Sequence, residues 1–480
     1  MSHGYDYDLL CIGSGPAGQR GAVAAAKMGK RVAVIENRRI VGGVAVTTGT
    51  IPSKTFREAV LHLKKSAIQN RERFQRKTRP QIQDLLGRVS EVVQRESDVM
   101  ERQLERNDID LLWGNASFRN PHVVAIDDPE KGERIVTADK ILLAVGTRPA
   151  APPGIEPDGQ RVITSDMLLQ LARLPRKMIV VGAGVIGIEY AAMFAELGVD
   201  VTVVDGRERP LEFLDREMVD ELIHQMRNVR VSFRLGERVA SVNAADKSKV
   251  LVQLESGKRL VGDLMLFSVG RVGATDTLNL AAAGLGCDER GRIAVNDRFQ
   301  TEVAHIYAAG DVIGYPALAS TSSAQGRRAA CYAFGGEPGD INQLFPFGIY
   351  AIPEISMVGQ TEQELTKERV PYEVGIARYR EIARGQILGD DSGLFKMLFH
   401  RHTRKLLGVH IIGTGATELL HIGQAVMTLD GGLDYFLGSV FNYPTLAECY
   451  KVAAFDAQNK LAYSAETEAP QLSEVKAEGV

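Results

Sequence analysis

One local pattern occurs twice in this chain of 480 residues, and it narrows the folds open to it more than any other feature. An apolar run, Leu9-Leu10-Cys11-Ile12, leads into GSGPAG, which contains Gly13, Gly15, Pro16 and Gly18. A second run, Met178-Ile179-Val180-Val181, leads into GAGVIG, which contains Gly182, Gly184 and Gly187. Each cluster opens an alanine-rich helical stretch, and each stretch leads to another apolar strand ending in an acid, Glu36 or Asp205. Gly182, Gly184, Gly187 and Asp205 each lie 169 residues after Gly13, Gly15, Gly18 and Glu36. The chain therefore carries two βαβ units in one register.

The residue types suit a dinucleotide. The first glycine permits a tight turn, the second lets a pyrophosphate approach the backbone, and the third lets helix and strand pack closely. The helix N-terminus presents free N–H groups to the anion. An acid 18 residues after the last glycine can accept hydrogen bonds from an adenosine ribose. Two such units predict an α/β protein with two Rossmann-like dinucleotide-binding domains.

Composition closes off other classes. The 60 acidic and 57 basic residues give a net charge of −3, and the basic stretch Arg71, Arg73, Arg76, Lys77, Arg79 has only Phe74 interleaved. A solvated loop is expected there, and no nucleic-acid partner. The four cysteines, Cys11, Cys287, Cys331 and Cys449, form no close pair, which excludes a disulfide scaffold and a cysteine-built zinc site. His410, His421 and the other histidines show no metal spacing, so no metal is expected. The run Met178–Ile188 is too short to span a bilayer, and the MSHGYDYD start lacks a signal peptide's basic residues. A soluble, cytoplasmic protein with reduced thiols is the expectation. Apolar residues at helical spacing predict an amphipathic helix over 88–106, paired with one near 54–69. Residues 463–480 are polar and acidic without a periodic apolar face, which predicts a disordered tail.

Two further segments extend the pattern: KILLAVGTRP at 140–149 and TEVAHIYAAGD at 301–311, each an apolar strand closed by a glycine turn. With these the chain resembles the pyridine nucleotide–disulfide oxidoreductase family of flavoproteins, from Tyr7 to about Leu461. The resemblance implies an FAD-binding domain in two parts, 1–150 and 273–345, an NAD(P)-binding domain over 151–272, and a C-terminal α+β dimerisation domain over 346–462. VGTRP and SVGRVGATDTLNL (268–280) resemble the family's crossings between the nucleotide domains. FAD is implied at Gly13, Gly15, Pro16, Gly18, Glu36, Gly43, Thr50, Lys54, Gly146, Gly310, Asp311 and Leu318, with Asp311 on the ribityl chain. NAD(P) is implied at Gly182, Gly184, Gly187, Glu189, Asp205, Arg207, Arg209 and Gly270. A homodimer is implied, with the FNYPT segment reaching into the partner's active site.

The sequence departs from the family where thiol chemistry resides. The two redox-cysteine positions are Ala45 and Thr50, and neither side chain can form or attack a disulfide. The histidine that disulfide reductases place before a proline near the C-terminus is Tyr443, followed by Glu448. A phenol is a poor base near neutral pH. Cys449 reads as a small packing residue. TGTIPSK and FNYPT resemble the soluble transhydrogenases of the family, of the Si-specific type. The implied reaction is hydride transfer from NADPH through FAD to NAD+, by ping-pong at a single nicotinamide site. Lys54 by resemblance lies beside the flavin and pairs with Glu189, its charge favouring the reduced flavin. Thr50 and Ala45 would line the flavin face opposite the nicotinamide. Asp205 suits the 2′-hydroxyl of NAD(H), whereas Arg207 and Arg209 suit the 2′-phosphate of NADP(H). Two alternatives stay open: an NAD(P)H oxidase or quinone reductase on the same flavin, and a dihydrolipoamide-dehydrogenase-like scaffold without catalysis.

Overall fold

The structure, a computed structural model, describes residues 4–475 except 72–80, 151–153, 155, 245–248 and 341. It divides into two compact units, Met1–Gly182 with Ala240–Ile341, and Ala183–Val239 with Asn342–Val480.

In the first unit, the strand Tyr7–Ile12 pairs in parallel with Val32–Glu36 on one side and Gly132–Leu143 on the other. Val32–Glu36 continues to Asp110–Trp113, and Ile306–Ala308 adds in parallel beyond Gly132–Leu143. Every residue of Val32–Glu36 is buried, which is why the strand reads as an unbroken apolar run rather than an alternation. The long Gly132–Leu143 strand turns out of this layer to pair antiparallel with Val123–Asp128. Helix Pro16–Lys27 lies against helix Ala319–Ala333 at backbone distance. A Cβ on Gly326 would sit 1.9 Å from the Ala17 carbonyl oxygen, so only glycine permits this approach.

The segments read as domain crossings, Thr147–Pro149 and Arg271–Gly273, pair antiparallel with each other. Lys177–Val181, Leu264–Phe267 and Val162–Thr164 form parallel neighbours. The expected helix pair is present as Thr50–Arg71 and Ile82–Glu105, the second beginning six residues before position 88. The basic residues Arg73, Arg76, Lys77 and Arg79 lie outside the described residues.

In the second unit, Asp200–Asp205 pairs in parallel with Val231–Leu235, beside helices Val185–Glu196 and Arg216–Asn228. A five-stranded antiparallel sheet follows, in the order Phe347–Ile349, Ile355–Gly359, Leu406–Ile412, Leu394–His400, Tyr372–Arg378. Helix Glu448–Val475 packs on the last of these strands. Its backbone runs on as helix through 463–475. The reason is that extending an existing helix fixes one residue per added bond and avoids a new nucleus. Among the described residues no helix is long and apolar enough to cross a membrane.

Candidate functional site

The first glycine cluster folds as its chemistry requires. Gly13 takes φ +105°, and a Cβ there would meet the Ala144 carbonyl oxygen at 2.4 Å. Gly18 faces the turn itself, where a Cβ would lie 1.9 Å from the Gly13 oxygen. Gly15 differs: it is the N-cap of Pro16–Lys27, and an added Cβ would meet nothing nearer than the Gly43 Cα at 4.0 Å. The helix begins with Pro16, whose missing N–H removes no intrahelical bond. A cavity of about 380 Å³ opens in front of this turn.

That cavity brings together most of the residues expected to hold the first dinucleotide. Gly13, Gly15, Pro16 and Glu36 line one part of it, and Gly43, Thr50 and Gly146 another. Gly310 and Asp311 complete the set, and Ala45 faces the same space. Gly18, Lys54 and Leu318 are not in the lining. Gly18 is spent on packing, and Leu318 is the N-cap of Ala319–Ala333, with its neighbours Ala317 and Ala319 lining the cavity instead. The Lys54 ammonium donates to Ser53 Oγ at 3.3 Å.

Asp311 follows Gly310, whose N–H donates to Gln325 Oε1 at 2.9 Å. Burial pushes the Asp311 carboxyl above its ordinary range, against the opposing charge of Arg271 and a long 3.4 Å contact from the Ser322 hydroxyl. A half-buried acceptor so weakly served fits a ligand that brings hydroxyl donors.

Glu36 and Asp205 are held alike. Glu36 Oε2 accepts the Ser14 N–H at 3.1 Å and the Ser14 hydroxyl at 2.6 Å, and Oε1 accepts the Arg38 N–H at 3.0 Å. Asp205 Oδ2 accepts the Ala183 N–H at 2.5 Å, and Oδ1 accepts the Arg207 N–H at 2.8 Å. The guanidinium then separates the two. Arg207 closes on Asp205 through Nε at 2.9 Å and Nη2 at 2.7 Å, whereas Arg38 turns away to Thr47 Oγ1 at 2.7 Å. Burial raises the Asp205 carboxyl, but the Arg207 guanidinium and the two amides outweigh it and hold the group below its ordinary value. Arg209 pairs with Asp220 at 2.5 Å.

Near the second turn, Gly182 takes φ +104° against the Ser268 carbonyl oxygen, and Gly184 is the N-cap of Val185–Glu196, where a Cβ would meet nothing. Gly187 is buried in that helix. Gly270 takes φ +128° in open space. Glu189 is buried and its Oε1 accepts the Tyr350 N–H at 2.8 Å. Tyr443 is 68% exposed. Glu448 opens the final helix, with Oε2 buried and unpaired, so that oxygen does not hold the phenol. All four cysteines are free; Cys449 is fully buried, and burial pushes its thiol up to about 12, as suits a packing residue. Among the described residues, three acid oxygens close enough for a metal occur at Asp215, Glu217 and Glu362, and the Lys396 ammonium sits among them.

The sequence profile of the pyridine nucleotide-disulphide oxidoreductases matches residues 7–326, and that of their dimerisation domain matches residues 345–454. The chain belongs to the pyridine nucleotide-disulphide oxidoreductase family. It is 53% identical to the soluble pyridine nucleotide transhydrogenase of Mycobacterium bovis BCG, over 95% of this chain and 98% of that protein. It is 43% identical to the one from Colwellia psychrerythraea, over 96% of this chain and all of that protein, 100%. Among solved structures it is similar to LpdA from Mycobacterium tuberculosis, with a TM-score of 0.85 and 27% identity over 93% of this chain and 99% of that one. It is also similar to the HOCl-induced flavoprotein disulfide reductase RclA from Escherichia coli, with a TM-score of 0.83 and 27% identity over 92% and 98%.

Ala45 and Thr50, the positions that the resemblance assigns to the redox cysteines, both line the cavity. Three polar residues at the site were missed from sequence. Ser14 occupies a variable position of the glycine motif, Arg38 lies in the same register as Arg207 one unit earlier, and Gln325 is far along the chain; only Arg38 had a signal, its offset of 169.

Two outcomes are expected. Gly15→Val projects a side chain into open cavity, so the variant folds with an unchanged apoprotein Tm but binds flavin at least about tenfold more weakly. Gly18→Val collides with backbone and yields little folded protein; flavin titration and thermal melts of both variants check the contrast. The second concerns Asp311, whose folded pKa lies above its unfolded one. That carboxyl therefore destabilises the ligand-free chain increasingly as pH rises from the unfolded value through the raised one. Asp311→Asn raises the apoprotein Tm near neutral pH while weakening flavin binding about 10- to 100-fold, since one charge-assisted bond is lost.

Proposed function

We propose that this chain is an FAD-dependent NAD(P)+ transhydrogenase that catalyses NADPH + NAD+ ⇌ NADP+ + NADH. The carrying observation is that Ala45 and Thr50 face the cavity where the family's thiols belong, while both glycine turns keep their carboxylate closures. Relatives at 42–53% identity carry the transhydrogenase name over nearly the whole chain. Bound FAD supplies the two-electron store that accepts hydride from NADPH and returns it to NAD+. The protein binds and orients. Gly13, Gly15 and the N-terminus of Pro16–Lys27 hold the pyrophosphate, Gly18 lets that helix pack close enough to do so, Glu36 takes the adenosine ribose, and Asp311 the ribityl hydroxyls. Gly43, Gly146 and Gly310 shape the channel around them, and Leu318 caps the helix Ala319–Ala333 beside it. Lys54 places positive charge beside the flavin, with Glu189 as its partner, and Thr50 and Ala45 close the opposite face. Residues 1–150 and 273–345 form the FAD domain, 151–272 the NAD(P) domain, and 346–462 pairs two copies into a homodimer. Tyr443 and Glu448 then serve the partner's site, and transfer is Si-specific.

Coenzyme choice rests on the Asp205–Arg207 pair, with Gly182, Gly184, Gly187, Arg209 and Gly270 around the nucleotide. The pair is neutral as a whole, so it does not repel a 2′-phosphate as a bare aspartate does. With NAD(H), Asp205 serves the ribose hydroxyls; with NADP(H), Arg207 serves the phosphate.

The decisive experiment is anaerobic mixing of the holoenzyme with NADPH and a spectroscopically distinct NAD+ analogue. Rapid reduction of the analogue is expected. Flavin reduction without transfer would indicate an oxidase or quinone reductase, and an unreduced flavin a scaffold. In steady state, Asp205→Ser raises the kcat/KM ratio of NADPH over NADH about tenfold, and Arg207→Ala lowers it by a similar factor.

A further inference from the structure

One buried charge cluster takes no part in the steps above. Lys396 lies on Leu394–His400 and its side chain is 0% exposed. Its ammonium donates to Asp215 Oδ1 at 3.0 Å and Oδ2 at 3.2 Å, to Glu217 Oε2 at 3.0 Å, and to Glu362 Oε2. Burial works against this charge, and the surrounding carboxylates more than offset it, holding the ammonium above the ordinary lysine value. Burying two of these ions, Lys396 and Asp215, is costly even with Glu217 and Glu362 at the part-exposed rim, and hydrophobic packing would have filled that space as stably. The arrangement asks for a further reason.

Position supplies one. Asp215 is the N-cap of Arg216–Asn228, accepting the Glu217 N–H at 3.1 Å. With Asp205 it flanks the nine-residue segment 206–214, which carries Arg207 and Arg209. At the near end, the Asp205 carboxylate holds Arg207. At the far end, Lys396 holds Asp215, and Gln363 Nε2 donates to the Leu214 carbonyl at 2.7 Å. Between them Leu211 is buried at φ +49°, a conformation unfavourable for leucine that persists only where the surroundings over-determine it. The segment is clamped at both ends, and one clamp belongs to the C-terminal sheet.

We propose that Lys396 is a positioning residue for coenzyme choice: through Asp215 it fixes the far end of the 206–214 segment and so sets where Arg207 and Arg209 stand. The inference rests on the reading that these arginines receive the 2′-phosphate. It also predicts asymmetry. Asp205 is held by the Ala183 amide and its own strand, so recognition of NAD(H) hydroxyls does not depend on the far clamp. Recognition of the phosphate does.

The test is steady-state kinetics of holoenzyme Lys396→Met with NADPH and NADH as donors, alongside Arg207→Ala. The expected result is a KM for NADPH raised roughly tenfold, a KM for NADH changed less than about twofold, and kcat and flavin content unchanged. Equal shifts in both KM values, or none, overturn the proposal and leave a structural anchor only. If Lys396→Met does not retain flavin, Glu217→Gln and Glu362→Gln each remove one arm, and the same asymmetry at about two- to threefold is expected; symmetric effects overturn it. Arg207→Ala separates the two levels. Were it to leave the NADPH KM unchanged, the reading of the phosphate site would fail; a raised value beside an unaltered Lys396→Met would sink only the role of Lys396.

Discussion

A carboxylate at the end of the second strand accepts the N–H that follows the first glycine, and the rest of each nucleotide unit depends on that bond. It ties the strand end to the turn, so the helix that follows starts where a pyrophosphate can reach its free N–H groups. A hydrogen bond to a buried carboxylate contributes about 1.5–3 kcal/mol, and leaving such a group unpaired costs more. The chain builds this closure twice, Glu36 on Ser14 and Asp205 on Ala183, with the acid's second oxygen on the amide two residues later each time. The one divergence is where the arginine at that later position turns. Arg38 reaches Thr47, and Arg207 folds back on its own acid. One motif thus presents a bare carboxylate in the first unit and a neutral ion pair in the second.

The same economy governs the chemistry. The fold keeps the family's two nucleotide sites and its cavity, and changes the side chains that would have met a disulfide. On the proposed function, Ala45 and Thr50 stand in the cavity wall where sulfur would serve a disulfide, and Tyr443 stands where thiol chemistry would need a proton-handling group. What remains is a reaction in which no proton has to be moved to or from sulfur, and in which binding and orientation supply the catalysis.

Much of this was legible in sequence because glycine turns are constrained locally. Gly18 is fixed by the Gly13 carbonyl five residues earlier, and the acid follows at a set distance, so a short window contains most of the argument; the Ala144 carbonyl that confines Gly13 lies far along the chain. The amphipathic helix pair was legible for a similar reason. The Lys396 cluster was not: its partners lie 181, 179 and 34 residues away in the chain, and no local pattern joins them.

The four free thiols have a consequence of another kind. Cys11 and Cys449 are buried in apolar surroundings that suppress the thiolate, and neither lines the cavity. Oxidants and alkylating reagents act on thiolates, climbing from sulfenic to sulfonic acid or capping the sulfur outright. Where a disulfide reductase exposes its working cysteines to that chemistry, this cavity offers it nothing to attack. Thiol-directed reagents therefore reach the exposed Cys287 and leave the lining of this cavity as it is.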